Sequence, residues 1–236
     1  MKLAGFQPTT LVDYPGRVAA TLFTLGCNFR CPFCHNAQLV DPARADAASL
    51  LDVDDVLDAL DRRRGFLDGV VLTGGEPTLQ DDLEALIVRL RGMGYLIKLD
   101  TNGSRPDVVE RLLERRLLDF VAMDVKGPTR RYGEFAGVEV PMDAIDRTIA
   151  ILKRSRVDYA FRTTVAPGLT GDDLAAVAAW IGPARRYVLQ RFRVPPDGAK
   201  ALLDPSWADR GALDERDLRA VWAAIADRFE DGGVRA

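Results

Sequence analysis

Three cysteines, Cys27, Cys31 and Cys34, fall within the run CNFRCPFCHN, and the chain has no others. Thiolates at this C-x3-C-x2-C spacing can each take one iron of a cubane iron–sulfur cluster, leaving the fourth iron without a protein ligand and open to a small molecule. Zinc is the competing occupant, because it accepts three Cys and one His, and the single histidine, His35, follows directly. Structural zinc sites usually draw their ligands from two separated pairs, however, and turning Cys34 and its neighbour His35 onto one ion is awkward. The spacing favours a cluster, with His35 packing or hydrogen-bonding behind the ligands. An odd number of cysteines in one short run is also a poor disulfide framework and fits a reducing compartment.

Further polar groups recur downstream. Thr73, Gly74, Gly75, Glu76 and Pro77 follow one apolar run, and adjacent glycines let backbone carbonyls approach a ligand with no Cβ in the way. An ordinary strand-to-helix turn, with Glu76 near the positive end of the next helix, would read the same. Asp100, Thr101, Asn102 and Gly103 follow the next run, and turn chemistry alone accounts for Gly103. Asp124 and Lys126 end a third, placing a carboxylate and an ammonium where a turn requires neither.

Something must bring these groups together, and the alternation of short apolar runs with amphipathic segments supplies it. Strands are predicted at residues 18–24, 69–73, 95–100, 120–124, 159–165 and 187–192, each nearly continuously apolar as strands buried on both faces are. Between them, Val53, Val56, Leu57 and Leu60 make a helical stripe, as do Leu83, Leu86, Ile87 and Leu90, then Leu174, Val177, Ala178 and Ile181, and finally Leu218, Val221, Trp222 and Ile225. Six βα units predict an α/β fold, a partial (β/α)6 TIM-like barrel open on one side, as one domain over residues 1–236. Residues 1–17 read as an irregular lead-in, and residues 193–236 as an irregular segment plus a C-terminal helix. Barrel active sites lie at the C-terminal ends of the strands, and the polar residues of four successive strands gather there.

Composition narrows the function. Of 236 residues, 47% are hydrophobic and 28% charged, an ordinary globular mixture, and the net charge of −3 gives no basic face for nucleic acid or an acidic membrane. With no apolar run long enough to span a bilayer and no signal-peptide pattern, a cytoplasmic location is expected. Trp180 and Trp222 fall on helical apolar stripes. Trp207 lies in the irregular segment, where it could help close a site or touch a partner. The acidic run from Asp52 to Asp61 reads as a solvated helix face.

The cysteine motif followed by His and Asn resembles the radical S-adenosylmethionine (SAM) superfamily. The order VDYPG, CHN, TGGEP, LDTNG and MDVKGP, spanning roughly residues 5–192, is most similar to the glycyl-radical activating enzymes. Within them it is most similar to the short, single-cluster activating proteins of anaerobic ribonucleoside-triphosphate reductases. The resemblance implies a [4Fe-4S] cluster on Cys27, Cys31 and Cys34, with SAM chelating the open iron. It implies Phe33 near the adenine and Gly74, Gly75 and Glu76 at the SAM amino group. Asp100, Asn102, Asp124, Lys126 and, at the end of the sixth strand, Gln190 would also be SAM contacts. A monovalent cation near Asp100, Thr101 and Asp124, and Asp13 with Arg162 facing the partner's glycyl loop, are implied too. The protein substrate would be a glycyl-radical enzyme, with flavodoxin or ferredoxin as electron donor, since no segment carries additional cysteines. Two alternatives stay open: radical SAM chemistry on a small molecule, as in 7-carboxy-7-deazaguanine synthases, and a non-catalytic zinc or electron-transfer protein.

Overall fold

The computed structural model describes residues 2–44 and 49–235. Its strands are β1 (Lys2–Thr10), β2 (Ala19–Thr24), β3 (Leu51–Asp52), β4 (Gly69–Gly74), β5 (Leu96–Thr101), β6 (Phe120–Asp124), β7 (Asp158–Val165), β8 (Ala184–Arg191) and β9 (Phe229–Arg235). The helices are α1 (Val53–Asp61), α2 (Leu83–Gly92), α3 (Pro106–Glu114), α4 (Tyr132–Ala136), α5 (Met142–Arg154), α6 (Gly171–Ile181) and α7 (Glu215–Ile225). All strands join one sheet in the order β3-β1-β2-β4-β5-β6-β7-β8-β9, an open barrel.

The six predicted strands are β2 and β4 to β8, each parallel to the next. Two further strands correct the expectation at the chain's ends. Residues 1–17 are not wholly irregular, because β1 pairs antiparallel with β2, with register shifts between Leu3 and Gly5 and between Gln7 and Thr10. Those shifts break the alternation that would have marked it. β9 runs parallel to β8 although its FEDGGVR sequence has no apolar run. Backbone contact holds it: a Cβ on Gly232, at φ +150°, would lie 2.0 Å from the Tyr187 carbonyl oxygen and 2.6 Å from the Trp222 ring.

Period-2 alternation divides each strand between two environments. Leu22, Leu72, Leu99, Val121 and Phe161 belong to the large core under the helices. Their neighbours Ala19, Val71, Phe120, Ala122 and Ala160 form a smaller apolar floor within the barrel, where Tyr14 meets Phe120 edge-on at 6.1 Å. Above that floor the inward positions turn polar. The helices follow local rules: the Asp52 side chain accepts from Asp54 N to cap α1, and a Thr170/Asp173 capping box starts α6.

The segment after β8 crosses back over the site end as two 3-10 turns, Ala199–Ala201 and Pro205–Asp209. It is tied to the cysteine loop by Asp204 N donating to the Pro32 carbonyl at 2.9 Å. Trp207, 3% exposed, packs on Phe33 at 5.9 Å and edge-on to Phe135 at 6.1 Å, with the Arg210 guanidinium 4.5 Å above its ring. Its surface is therefore used within the chain. Truncation to Trp207→Ala is expected to cost about 3–5 kcal/mol, read as a lower midpoint in urea unfolding.

Candidate functional site

The loop after β2 carries all three cysteines and is framed by backbone. Gly26 N donates to Leu39 O at 2.8 Å and Cys27 N to Val40 O at 3.1 Å, which closes the loop on itself. Arg30 N reaches the Ala136 carbonyl at the end of α4 at 2.8 Å. The Arg30 guanidinium folds back to donate to the carbonyls of Cys27 and Phe29. Two glycines make this framing possible. A Cβ on Gly75 would lie 2.1 Å from Gly26 O, and one on Gly137 would lie 1.9 Å from Arg30 O.

Cys27, Cys31 and Cys34 line one cavity of about 290 Å3 at the C-terminal ends of the parallel strands. Cys31 is buried and the other two half-buried. Burial pushes all three thiols up, Cys31 to about 12, so without a metal they hold their protons. Two N–H groups already point at the first sulfur: Phe29 N at 3.3 Å and Asn102 Nδ2 at 3.9 Å from Cys27 Sγ. Among the described residues no three His, Cys, Asp or Glu side chains converge on a single ion position. His35 lines the cavity, its ring 5.6 Å from Phe192, and burial lowers its pKa.

Phe33, Gly74, Gly75, Glu76, Asp100, Asn102, Asp124, Lys126, Arg162 and Gln190 line the same cavity. The glycines serve the framework as well as any ligand: a Cβ on Gly74, at φ +117°, would come within 2.3 Å of Thr24 N. Glu76, 1% exposed, is fully engaged. Its Oε1 accepts from Thr78 N, Thr78 Oγ1 and Thr101 Oγ1 at 3.1, 2.6 and 2.8 Å, and its Oε2 from Asn102 N at 2.7 Å. It ties the end of β4 to the end of β5. Burial raises its pKa, opposed by those four donors.

Asn102 extends this network to the cysteine loop through Asn28 Oδ1 at 2.9 Å, and Asn28 Nδ2 in turn donates to Ser104 Oγ. Asn28, Arg30 and Ser104 were missed in the sequence, where nothing marks side chains up to 76 residues apart as partners. The CNFRC run did at least place Asn28 and Arg30 between two cysteines.

A chain of charges spans β5 to β7 and the loop after β6. Lys98 pairs with Asp100, whose Oδ2 lies 3.1 Å from Arg162 Nη1. Arg162 Nε and Nη2 both lie 2.8 Å from Asp124 Oδ1, and Lys126 Nζ lies 3.1 Å from Asp124 Oδ2. Burial would raise Asp124, but the charges of Arg162 and Lys126 outweigh it and hold the carboxyl at about 2. Burial opposes the charged forms of Arg162 and Lys126, yet their carboxylate partners raise both. For Lys98, burial wins and lowers the pKa, against the pull of Asp100.

Asp13 is not among the residues lining the cavity; its carboxylate accepts from Thr21 Oγ1 at 2.9 Å, and its charge acts on Lys98. One expectation changes here: the implied monovalent cation is not supported, because the Asp100 and Asp124 carboxylates are taken by side-chain cations and Thr101 Oγ1 by Glu76.

Residues 21–181 match the family model described as the Radical SAM superfamily. A Methanocaldococcus jannaschii protein named "Putative glycyl-radical enzyme activating enzyme" is 32% identical over 98% of this chain and 94% of its own length. The 7-carboxy-7-deazaguanine synthase of Halobacterium salinarum is 38% identical over a segment covering 38% of this chain and 35% of that protein. Among solved structures, Streptococcus suis SuiB bound to S-adenosylmethionine superposes with a TM-score of 0.66 at 15% identity, over 90% of this chain and 49% of SuiB. The chain thus spans about half the length of that structural neighbour, which supports the fold alone. No helix among the described residues is long and apolar enough to cross a membrane.

Glu76→Ala should strand four donors and destabilise the protein by on the order of 3 kcal/mol, measured by urea unfolding of the metal-free protein.

Proposed function

The chain belongs to the radical SAM superfamily, and we propose that within it the chain is an activating enzyme that installs a radical on a glycine of a partner protein. The near full-length correspondence, in both directions, with the M. jannaschii relative carries this reading. An anaerobic ribonucleoside-triphosphate reductase is the partner favoured by the motif order in the sequence.

The donor set suits a cubane. Cys27, Cys31 and Cys34 would hold three irons around one cavity, where a metal's charge would offset the burial that pushes all three thiols up. When bound, the [4Fe-4S] cluster and SAM together supply reductive cleavage of the sulfonium and a carbon-centred radical able to take a hydrogen atom from a glycine Cα. The chain's own residues bind, orient and exclude water. The Gly74–Gly75 backbone would accept from the SAM ammonium. Lys126 and Arg162, already fixed on Asp124, would present positive charge to its carboxylate. Phe33, backed by Trp207, forms an apolar wall against which the adenine can lie. Glu76 would hold Asn102 in place instead of touching the ligand. Gln190 would reach SAM from the end of β8, and Arg162 and Asp13 would face the substrate. Electrons would come from a small external carrier such as flavodoxin or ferredoxin.

A small-molecule substrate is the second reading, favoured by the segment shared with the deazaguanine synthase.

Anaerobic reconstitution with iron and sulfide, reduction, and addition of SAM should give 5'-deoxyadenosine by chromatography. With the reductase from the same cell, a glycyl-radical doublet should appear by electron paramagnetic resonance. Cleavage with no radical on any glycyl-radical partner would move the assignment to the small-molecule reading. Cys31→Ala should lose both cluster and cleavage, whereas His35→Ala should keep the cluster absorbance; complete loss of metal from the His35 variant would reinstate zinc.

A further inference from the structure

Six charged side chains come together in the barrel's upper interior, Asp13 among them, and every carboxylate oxygen of Asp100 and Asp124 already faces a side-chain cation. Lys98 and Asp100 stand two residues apart on β5 and so share a face. Arg162 on β7 is the register partner of Asp124 on β6. Each of the four carboxylate oxygens meets one cationic group. Asp100 Oδ1 meets Lys98, Asp100 Oδ2 and Asp124 Oδ1 are bridged by Arg162, and Asp124 Oδ2 meets Lys126. Thr101 Oγ1, the third oxygen such an ion would use, donates to Glu76 and accepts from Gly103 N at 3.1 Å.

The side chains of Lys98, Asp100, Arg162, Lys126 and Asp124 are 3, 14, 18, 16 and 31% exposed, so water screens them only in part. Three positive groups, Lys98, Arg162 and Lys126, face three negative ones, Asp100, Asp124 and Asp13, whose charge also acts on Lys98, a net charge of zero. An inorganic cation would have to displace one of three tethered ones from a set that is already neutral.

We propose that this chain carries its own cation at this place, with Arg162 bridging the two carboxylates and Lys98 completing their neutralisation, so that SAM binding requires no sodium or potassium. This rests on reading the cavity as the SAM site. Lys98 is then a positioning residue: it does not line the cavity, and it holds Asp100 in place at the cavity wall. Removing it would leave Asp100 Oδ1 facing a buried vacancy beside an uncompensated negative charge, and a monovalent ion is the simplest group to fill it.

The test uses the full-length reconstituted protein at constant ionic strength in sodium, potassium or tetramethylammonium chloride. Equilibrium dialysis with labelled SAM reports affinity, and thermal melting without SAM reports the site itself. Wild-type protein should show one affinity and one melting temperature in all three salts. Lys98→Met should lose affinity in tetramethylammonium by about tenfold or more and recover it in potassium or sodium, with a melting temperature that follows the same salts. Lys98→Gln is a second variant should the methionine disturb folding. Wild-type affinity or melting that rises with sodium or potassium overturns the proposal, and so do Lys98 variants indifferent to the salt. If no form binds SAM, the cavity's assignment fails, and the melting series still decides whether the charges are self-sufficient.

Discussion

Charged groups can be buried together only if each meets its counter-charge, and the upper barrel of this protein is organised by that constraint. Asp100 and Asp124 point inward from neighbouring strands, where two unpaired carboxylates would repel each other and lack solvent. Arg162, arriving from the next strand in register with Asp124, resolves both at once. The pairing works because the parallel sheet fixes which residue of β7 stands beside which residue of β6. A one-residue slip would turn Arg162 into the apolar core beneath the helices and leave Asp100 with Lys98 alone and Asp124 with Lys126 alone.

The cysteine loop depends on a different kind of order. Few side chains hold it; backbone groups and the absence of side chains do. Gly75 and Gly137 let two neighbouring segments lie against the loop's carbonyls closer than any Cβ permits. Arg30 then covers the carbonyls of Cys27 and Phe29. A loop fixed through its main chain keeps its side chains free, and this leaves three thiols available to a metal centre that must be gripped from one side only. The rigidity extends outward through Asn28, Asn102 and Glu76 to the ends of β4 and β5.

Much of this was legible in the sequence. The six parallel strands announced themselves through short apolar runs, and the cysteines, the glycine pair and the DTNG and DVK segments marked the strand ends that meet at the cavity. Pairing between those segments was not legible. Arg162 finds Asp124 and Asp100 across 38 and 62 residues, a choice made by strand order and register that no local pattern encodes. Lys98 read as part of a strand body, yet it is one of the buried charges. β1 and β9 escaped notice for a related reason: shifted register in one and paired glycines in the other remove the alternation by which strands are recognised, while main-chain hydrogen bonds still build them.

A barrel that stays open has two free borders, and either could recruit a neighbouring molecule by hydrogen bonding along its length. At one border the two-residue β3 pairs only with Lys2 and Leu3, so β1 carries most of that edge. At the other, β9 presents Glu230 and Asp231 before two glycines and ends on Arg235, charges that a dry pairing would have to strip of water. The β9 side of the opening is thereby kept from serving as a template for self-association.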